Sequence, residues 1–191
     1  PPPTSSRRQR QMCIRDRARR ALTQSQARGP WHIPVCFKYG DDRMTKKKCL
    51  VLSDEQKSVQ LDGQLCPDWI HGNADQSGYY SWFQSNGSFT SLITQHSDSL
   101  TSAEMAALPE TLFLHLESGL ITVSQLVDGY IALAKSENRY VIEGLVNGLR
   151  GLSVLADTPS ARARLGQLVR KVLIPHLTRL GFDPKQNEEP H

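Results

Sequence analysis

The sequence lacks long hydrophobic runs and has few aromatic residues, and both shortages limit what the chain can be. Hydrophobic residues make up 38% of its 191 residues and aromatic residues 7%. No apolar stretch approaches the roughly 20 residues that a membrane-spanning helix needs. The first 20 residues also lack the apolar stretch of about 7–15 residues found in a secretory signal, because arginines interrupt them throughout. We therefore predict no membrane contact, and the sequence leaves the compartment open between the cytoplasm and export.

Cysteine is also scarce, and its spacing does not indicate a metal site. Outside the first 20 residues the chain has Cys36, Cys49 and Cys66, an odd number without any Cys-x-x-Cys pair. Three buried thiols on strands are the favoured interpretation. A Cys36–Cys49 or a Cys36–Cys66 disulfide stays open as an alternative, for the case that the protein is exported.

Positive charge is concentrated at the start of the chain. The net charge is +4, but the first 20 residues hold seven arginines against a single aspartate, so the remainder is mildly acidic. Residues 11–17 resemble the translation of a transposon end used in sequencing adapters, and we expect residues 1–20 to be a disordered or artefactual tail. The other basic run, residues 46–48, is typical of a solvated turn or of charges that protect an edge strand. Nucleic acid is therefore not a predicted partner.

The first half of the remaining chain has the pattern of short strands. Apolar residues alternate strictly with other residues from position 31 to 39, which predicts a half-buried strand. Further short strands, separated by Gly, Asp and Asn turns, are predicted over residues 48–53, 58–61, 69–71 and 78–83. Because no helical spacing interrupts them, we predict a small antiparallel β-sandwich over residues 21–85.

Helical spacing begins at residue 86 and continues to the end. Ser88 and Thr101 are predicted N-caps, and Glu104 completes a capping box with Thr101. We expect Pro109 to open a new helical turn and Pro175 to kink the last helix. Further helices are predicted over residues 123–134, 138–156 and 159–181.

The linkers between these helices are short, which makes successive helices antiparallel neighbours. Residues 86–191 therefore predict an antiparallel α-helical array of the HEAT/armadillo-like kind, and the whole chain is predicted to be an α+β multidomain protein. Gly144, Gly148 and Gly151 fall inside one helix, where their spacing predicts close approach of a neighbouring helix rather than a cofactor site.

Motifs that carry catalysis are missing. The sequence has no His-Glu-x-x-His pair to place two imidazoles around zinc; the nearest approach, His115-Leu116-Glu117, has no second histidine. It also has no Gly-x-x-x-x-Gly-Lys loop for phosphates and no Gly-x-Ser-x-Gly turn for a nucleophile. We therefore predict no catalytic, cofactor-binding or metal-binding residue in this chain.

One segment nevertheless resembles a known family. A tryptophan, an asparagine and then Gly-Tyr-Tyr occur in order as Trp69, Asn73 and Gly78-Tyr79-Tyr80, which is similar to the last strands of the post-catalytic domain in aminopeptidase-N-type zinc metallopeptidases. Other pieces resemble the family in the same order along residues 21–191, among them 31–35, 100–104, 137–140 and 175–183. Ser81 departs from the family, which usually has arginine there.

The resemblance implies that the chain corresponds to a post-catalytic β-sandwich and the first part of a C-terminal helical domain, like that of an endoplasmic-reticulum aminopeptidase. In such enzymes zinc, held by two histidines and a glutamate in a separate catalytic domain, activates water to remove N-terminal residues from peptides. The implied partners are that catalytic domain of the same polypeptide and, for the parent enzyme, peptide substrates. No cofactor is expected in this chain itself. A stand-alone helical module that binds a protein or peptide is the alternative.

Overall fold

The computed structural model describes residues 12–14, 32–41, 43–54, 56–62, 66–84 and 88–181 of the chain. The chain divides into two compact units, Pro1–Ser99 and Leu100–His191. Within the described residues, the first unit contains all the strands and one α-helix, and the second contains the other α-helices. The α+β class predicted from the change of hydrophobic period is therefore confirmed. The predicted division at residues 85 and 86 stays a prediction.

The strands of the first unit form two antiparallel sheets. One sheet has three strands in the order β3-β2-β5, and the other pairs β1 with β4. Strand β1 lies within residues 1–20, the segment predicted to be a disordered or artefactual tail, and three of its residues pair with β4. The rest of residues 1–20 lies outside the described residues. The bounds are β1 (Met12–Ile14), β2 (Ile33–Gly40), β3 (Thr45–Leu52), β4 (Lys57–Val59) and β5 (Trp69–His71).

Strand β2 lies at the centre of the three-stranded sheet, and its predicted alternation is confirmed. Val35, Phe37 and Tyr39 point to one face, where they form a buried cluster with Leu52 of β3. The opposite face is also partly covered, because Lys38 is only 9% exposed there and its ammonium donates to the carbonyl of Ser99 at 3.1 Å. A lysine can be buried in this way only when its charged end keeps a hydrogen-bond partner.

The register of β2 and β3 decides the state of the cysteines. Cys36 lies directly opposite Cys49 in the antiparallel pair, and the two form a disulfide. Cys66 is exposed and is a free thiol. The prediction of three buried thiols is therefore wrong. Sequence spacing could not choose among the pairings, because the choice depends on which residues the register places side by side.

The helices begin and end close to the predicted positions. Thr101, Asn138 and Thr158 each accept a backbone N–H with the side chain at a helix start, and Thr101 forms the predicted reciprocal bonds with Glu104. The helix that contains Pro109 is continuous, so the prediction of a new start there is wrong; the buried proline packs against α4 instead. The bounds are α1 (Ser88–Gln95), α2 (Ser102–Glu117), α3 (Val123–Leu133), α4 (Arg139–Leu155) and α5 (Pro159–Leu180).

The glycines of α4 are the points where other helices approach it, as predicted. A Cβ atom added at Gly144 would lie 3.0 Å from the ring of Pro109, and one at Gly151 would lie 2.5 Å from the ring of Phe113, both on α2. At Gly148 the added atom would overlap the hydroxyl of Tyr130 on α3. Side chains of α2 and α3 therefore occupy the space above the glycines of α4, so these helices of the second unit are closely packed.

Candidate functional site

The segment that carries the family resemblance forms a tight loop after β5, which we call the signature loop (residues 72–80). Its centre is fixed by the side chain of Asn73. The Asn73 amide accepts the N–H of Gly78 at 2.9 Å and donates to the carbonyl of the same residue at 2.9 Å. One side chain thus satisfies both main-chain groups of a residue five positions later, as a neighbouring strand would.

Tyr80 connects the signature loop to the central strand. Its hydroxyl accepts the N–H of Cys36 at 3.1 Å and lies 3.0 Å and 2.9 Å from the carbonyl oxygens of Cys36 and Gly72, to which it can donate. Strand β5 pairs with β2 only at residues 38–40, so Cys36 lies beyond its reach. The phenol therefore satisfies the N–H and the carbonyl of Cys36 on the side of β2 where β5 does not reach.

This arrangement explains why a predicted strand is absent. Residues 78–83 are described but form no strand, so the prediction for this segment is wrong. The ring of Tyr80 packs over Gly78, where an added Cβ would overlap it. Hydrogen bonds from the Asn73 and Tyr80 side chains to the main chain take the place of a strand ladder in this loop.

The turn at the tip of the signature loop adopts a backbone conformation that side chains disfavour. Asp75 and Gln76 have φ angles of 57° and 53°, in the left-handed region. Asp75 forms an ion pair with Lys47 of β3 at 2.7 Å. The hydrogen bond from Lys47 lowers the pKa of the Asp75 carboxyl below its usual value of 3.8. The ion pair thus ties the strained turn to the sheet, although both side chains are too exposed for a large contribution to stability.

Aromatic residues cover the sheet face on which Lys38 lies. The ring of buried Trp69 stacks on His96 at 6.2 Å between centroids, and His71 meets the edge of Trp82 at 4.8 Å. Trp82 in turn contacts Phe89 of α1 at 5.3 Å. The residues that follow the signature loop therefore serve to dock α1 on the sheet.

The basic run of β3 is engaged within the chain. Besides the ion pair of Lys47, the ammonium of Lys46 donates to the Asp62 carbonyl at 2.9 Å, and that of Lys48 to the Gln60 carbonyl at 2.7 Å. These bonds tie the segment after β4 to β3, which agrees with the prediction that the lysines protect an edge strand.

Potential metal ligands are dispersed over the described part of the chain. Three buried histidines lie in different elements: His71, His115 and His176. The Nε2 atom of His176 is hydrogen-bonded to the carbonyl of Ala134 at 2.8 Å. In the described residues no group of three or more His, Cys, Asp or Glu side chains could hold a metal ion. These residues do not fit the zinc site that the resemblance implies for a parent enzyme, so no catalytic step is assigned to them. His191 lies outside the described residues.

A match to a known family begins just before the signature loop. A family model described as the ERAP1-like C-terminal domain matches residues 69–191, which is more than half of the chain. The chain belongs to the ERAP1-like C-terminal domain family. The match starts at the first residue of β5, so the signature loop and all the described helices lie inside the ERAP1-like domain. The resemblance to an aminopeptidase-type C-terminal region is confirmed.

Sequence reasoning located the signature of the ERAP1-like domain but missed what its residues do. The Tyr80 hydroxyl reaches a main chain 44 positions away, and no local pattern encodes such a bond.

None of the described helices is long and apolar enough to cross a membrane.

Proposed function

We propose that the chain is the non-catalytic C-terminal part of a zinc-dependent aminopeptidase that removes N-terminal residues from peptides. The observation that carries the proposal is the match to the ERAP1-like C-terminal domain over residues 69–191. By its description this domain follows another part of a longer polypeptide. Zinc and its ligands would belong to that other part, together with the site that binds the peptide.

The role of this chain in the parent enzyme would be to pack on the catalytic domain and help to enclose the substrate chamber. A β-sandwich over residues 21–85, a HEAT/armadillo-like array over residues 86–191 and a tail over residues 1–20 complete the proposal. The hydrogen bonds of the signature loop support a structural role, since Asn73 and Tyr80 direct their polar atoms at main-chain groups of the same unit.

A second candidate function is that of a stand-alone module that binds a protein or peptide. Exposed apolar side chains at the end of α4 favour it, with Val154 and Leu155 exposed by 83% and 63%. Apolar side chains exposed together are a feature of interaction surfaces.

Extending the coding region upstream separates the two candidates. We expect the longer polypeptide to release amine from an amino-acid anilide and a metal chelator to abolish this turnover, whereas the present chain releases none. Chelator-sensitive turnover by the present chain, or an upstream region without a peptidase domain, would contradict the proposal. In the latter case binding of peptides by the chain alone becomes the measurement of interest.

A further inference from the structure

The disulfide between Cys36 and Cys49 can be reached from solvent on the side of β3. This strand lies at the edge of the three-stranded sheet. On the face of β3 that carries the cysteine, all the alternate residues are exposed: Thr45, Lys47, Cys49 and Val51. Cys36 on the neighbouring strand is half-buried. Because access to a sulfur controls its exchange with other thiols, Cys49 is the half of the disulfide that a reductant attacks.

The disulfide is the direct link between β2 and β3 at this position. The main-chain N–H and carbonyl of Cys36 are both hydrogen-bonded to the hydroxyl of Tyr80, on the side of β2 where β5 lies. Cys36 and Cys49 are therefore a non-hydrogen-bonded pair of the antiparallel ladder, in which opposite side chains come closest. Breaking the S–S bond would leave β3 held at this point only through the pairs on either side.

The remaining contacts keep the two cysteines opposite one another when the bond is broken. The ladder of β2 and β3 extends from the pair Ile33 and Leu52 to the pair Gly40 and Thr45. The lysine side chains of residues 46–48 add hydrogen bonds to the segment after β4 and to the signature loop. Because this register places the two thiols side by side, the same disulfide can form again on oxidation.

The signature loop is coupled to this bond through Cys36. The Tyr80 hydroxyl that fixes the end of the loop depends on the position of the Cys36 main chain, which the disulfide ties to β3. Exposed disulfides are reduced more readily than buried structural ones, and regulatory disulfides belong to the exposed group. A bond that is accessible, re-formable and coupled to a loop has the properties of a redox-sensitive device.

We propose that Cys36 and Cys49 form a thiol–disulfide switch that sets how firmly β3 and the signature loop are held. The reductant is a dithiol, and one of its thiolates attacks Sγ of Cys49. The bond between Cys49 and Cys36 breaks, and Cys36 leaves as a thiolate that takes up a proton. The second thiol of the reductant then attacks its own partner sulfur and releases Cys49 as a thiol. Two electrons and two protons pass to the chain, and the reductant becomes a disulfide. The switch does not depend on the proposed aminopeptidase role.

The first test measures whether the bond is accessible and re-formable in the folded chain. Replacing Cys13 and Cys66 by serine leaves the pair as the only cysteines. Dithiothreitol is the reductant, and thiols are trapped by alkylation and quantified by peptide mass spectrometry. We expect reduction of the folded chain within about tenfold of the rate in urea, since access controls the rate. Oxidised glutathione should then restore the bond.

Two outcomes of this measurement would overturn the proposal. The first is a slower reduction of the folded chain than that limit, which would mean that the disulfide is protected by the fold. The second is a folded chain in which both thiols are free and oxidised glutathione does not join them. Neither result depends on whether a longer polypeptide is an active aminopeptidase.

The second test measures what the switch controls. Hydrogen exchange, read by mass spectrometry, should become about tenfold faster or more on reduction in residues 45–52 and 72–80, because a local cross-link is lost. Helices α2 to α5 should exchange at unchanged rates. The matched control carries Cys36→Ser with Cys49→Ser, and it should exchange fast in these segments with or without dithiothreitol.

The pattern of exchange decides between a switch and a merely structural bond. Unchanged exchange in residues 45–52 and 72–80 on reduction would overturn the proposal, because the bond would then control neither segment. Faster exchange throughout the chain would show general unfolding and would overturn it as well. A response to dithiothreitol that persists in the double serine variant would assign the effect to another group, with the same consequence.

Discussion

Replacing Gly148 by alanine tests whether the second unit depends on the close approach of its helices. The Cβ atom of alanine would overlap the Tyr130 hydroxyl and would lie 2.7 Å from Cζ of the same ring. Tyr130 is fully buried, and its hydroxyl donates to the Pro109 carbonyl at 3.3 Å. Burial raises the pKa of this phenol, which therefore stays neutral.

The magnitude follows from opposing effects. Alanine is favoured over glycine inside a helix by about 1 kcal/mol. Overpacking in a core costs about 1–3 kcal/mol, and loss of the Tyr130 hydrogen bond costs about 0.5–1.5 kcal/mol more. We therefore expect Gly148→Ala to reduce the free energy of unfolding by about 0.5–3.5 kcal/mol, the net of these values.

The assay is urea unfolding followed by far-UV circular dichroism, with the change read from the midpoint at constant slope. Gly166→Ala on α5 is the matched control, because no described atom outside the adjoining residues and the backbone of the same helix lies within 4 Å of the Cβ it would add. This variant should be as stable as wild type or up to about 1 kcal/mol more stable. Combining Gly148→Ala with Tyr130→Phe should cost less than the sum of the single changes, since removing the hydroxyl relieves part of the overlap.

The reasoning would be refuted if Gly148→Ala and Gly166→Ala stabilised the protein equally. Such a result would mean that α4 moves away from Tyr130 without losing other contacts. Strict additivity in the double variant would refute the narrower claim that the hydroxyl of Tyr130 is the group that Gly148 accommodates.

Three further predictions concern the first unit. Tyr80→Phe should lower stability by about 1–3 kcal/mol and speed hydrogen exchange at the Cys36 amide, because that N–H loses its partner; unchanged exchange would contradict the assignment. Replacing Cys36 and Cys49 together by serine should cost about 2–4 kcal/mol in urea unfolding, and non-reducing peptide mapping should find the two linked in wild type. The lowered pKa of Asp75 contributes stability that is present above the usual pKa of 3.8 and is lost as the pH falls through the folded-state pKa. Asp75→Asn should remove this part of the acid dependence, and an identical acid limb in both proteins would refute it.

Helix boundaries were predictable because their signals are local. Each signal lies within three positions along the chain, Thr101 with Glu104 in one case and Thr158 with Pro159 in the other. The structure places a helix start at both. The alternation through β2 was equally informative, because every second residue of a strand points to the same face, and a buried face therefore requires an apolar residue at every second position.

The rest of the first unit could not be predicted, because it depends on contacts between distant residues. The Cys36–Cys49 bond requires the register of β2 and β3, which is known only once the strands are paired. Residues 78–83 have the aromatic composition of a strand, yet the side chain of Asn73, and not a neighbouring strand, pairs with the backbone of Gly78. Periodicity reports which residues are buried, and it does not report what satisfies the main chain.

The same distinction separates the two adjacent tyrosines of the signature loop. Tyr80 has its hydroxyl among main-chain groups of Cys36 and Gly72, so changing it disturbs the sheet before it disturbs any partner. Tyr79 lies between two residues that are held by hydrogen bonds, and its own ring is exposed to solvent, so we expect a substitution there to leave the sheet intact. A motif that identifies a family can therefore combine a residue that builds the loop with one that the loop presents, and stability and association measurements assign each residue to its role.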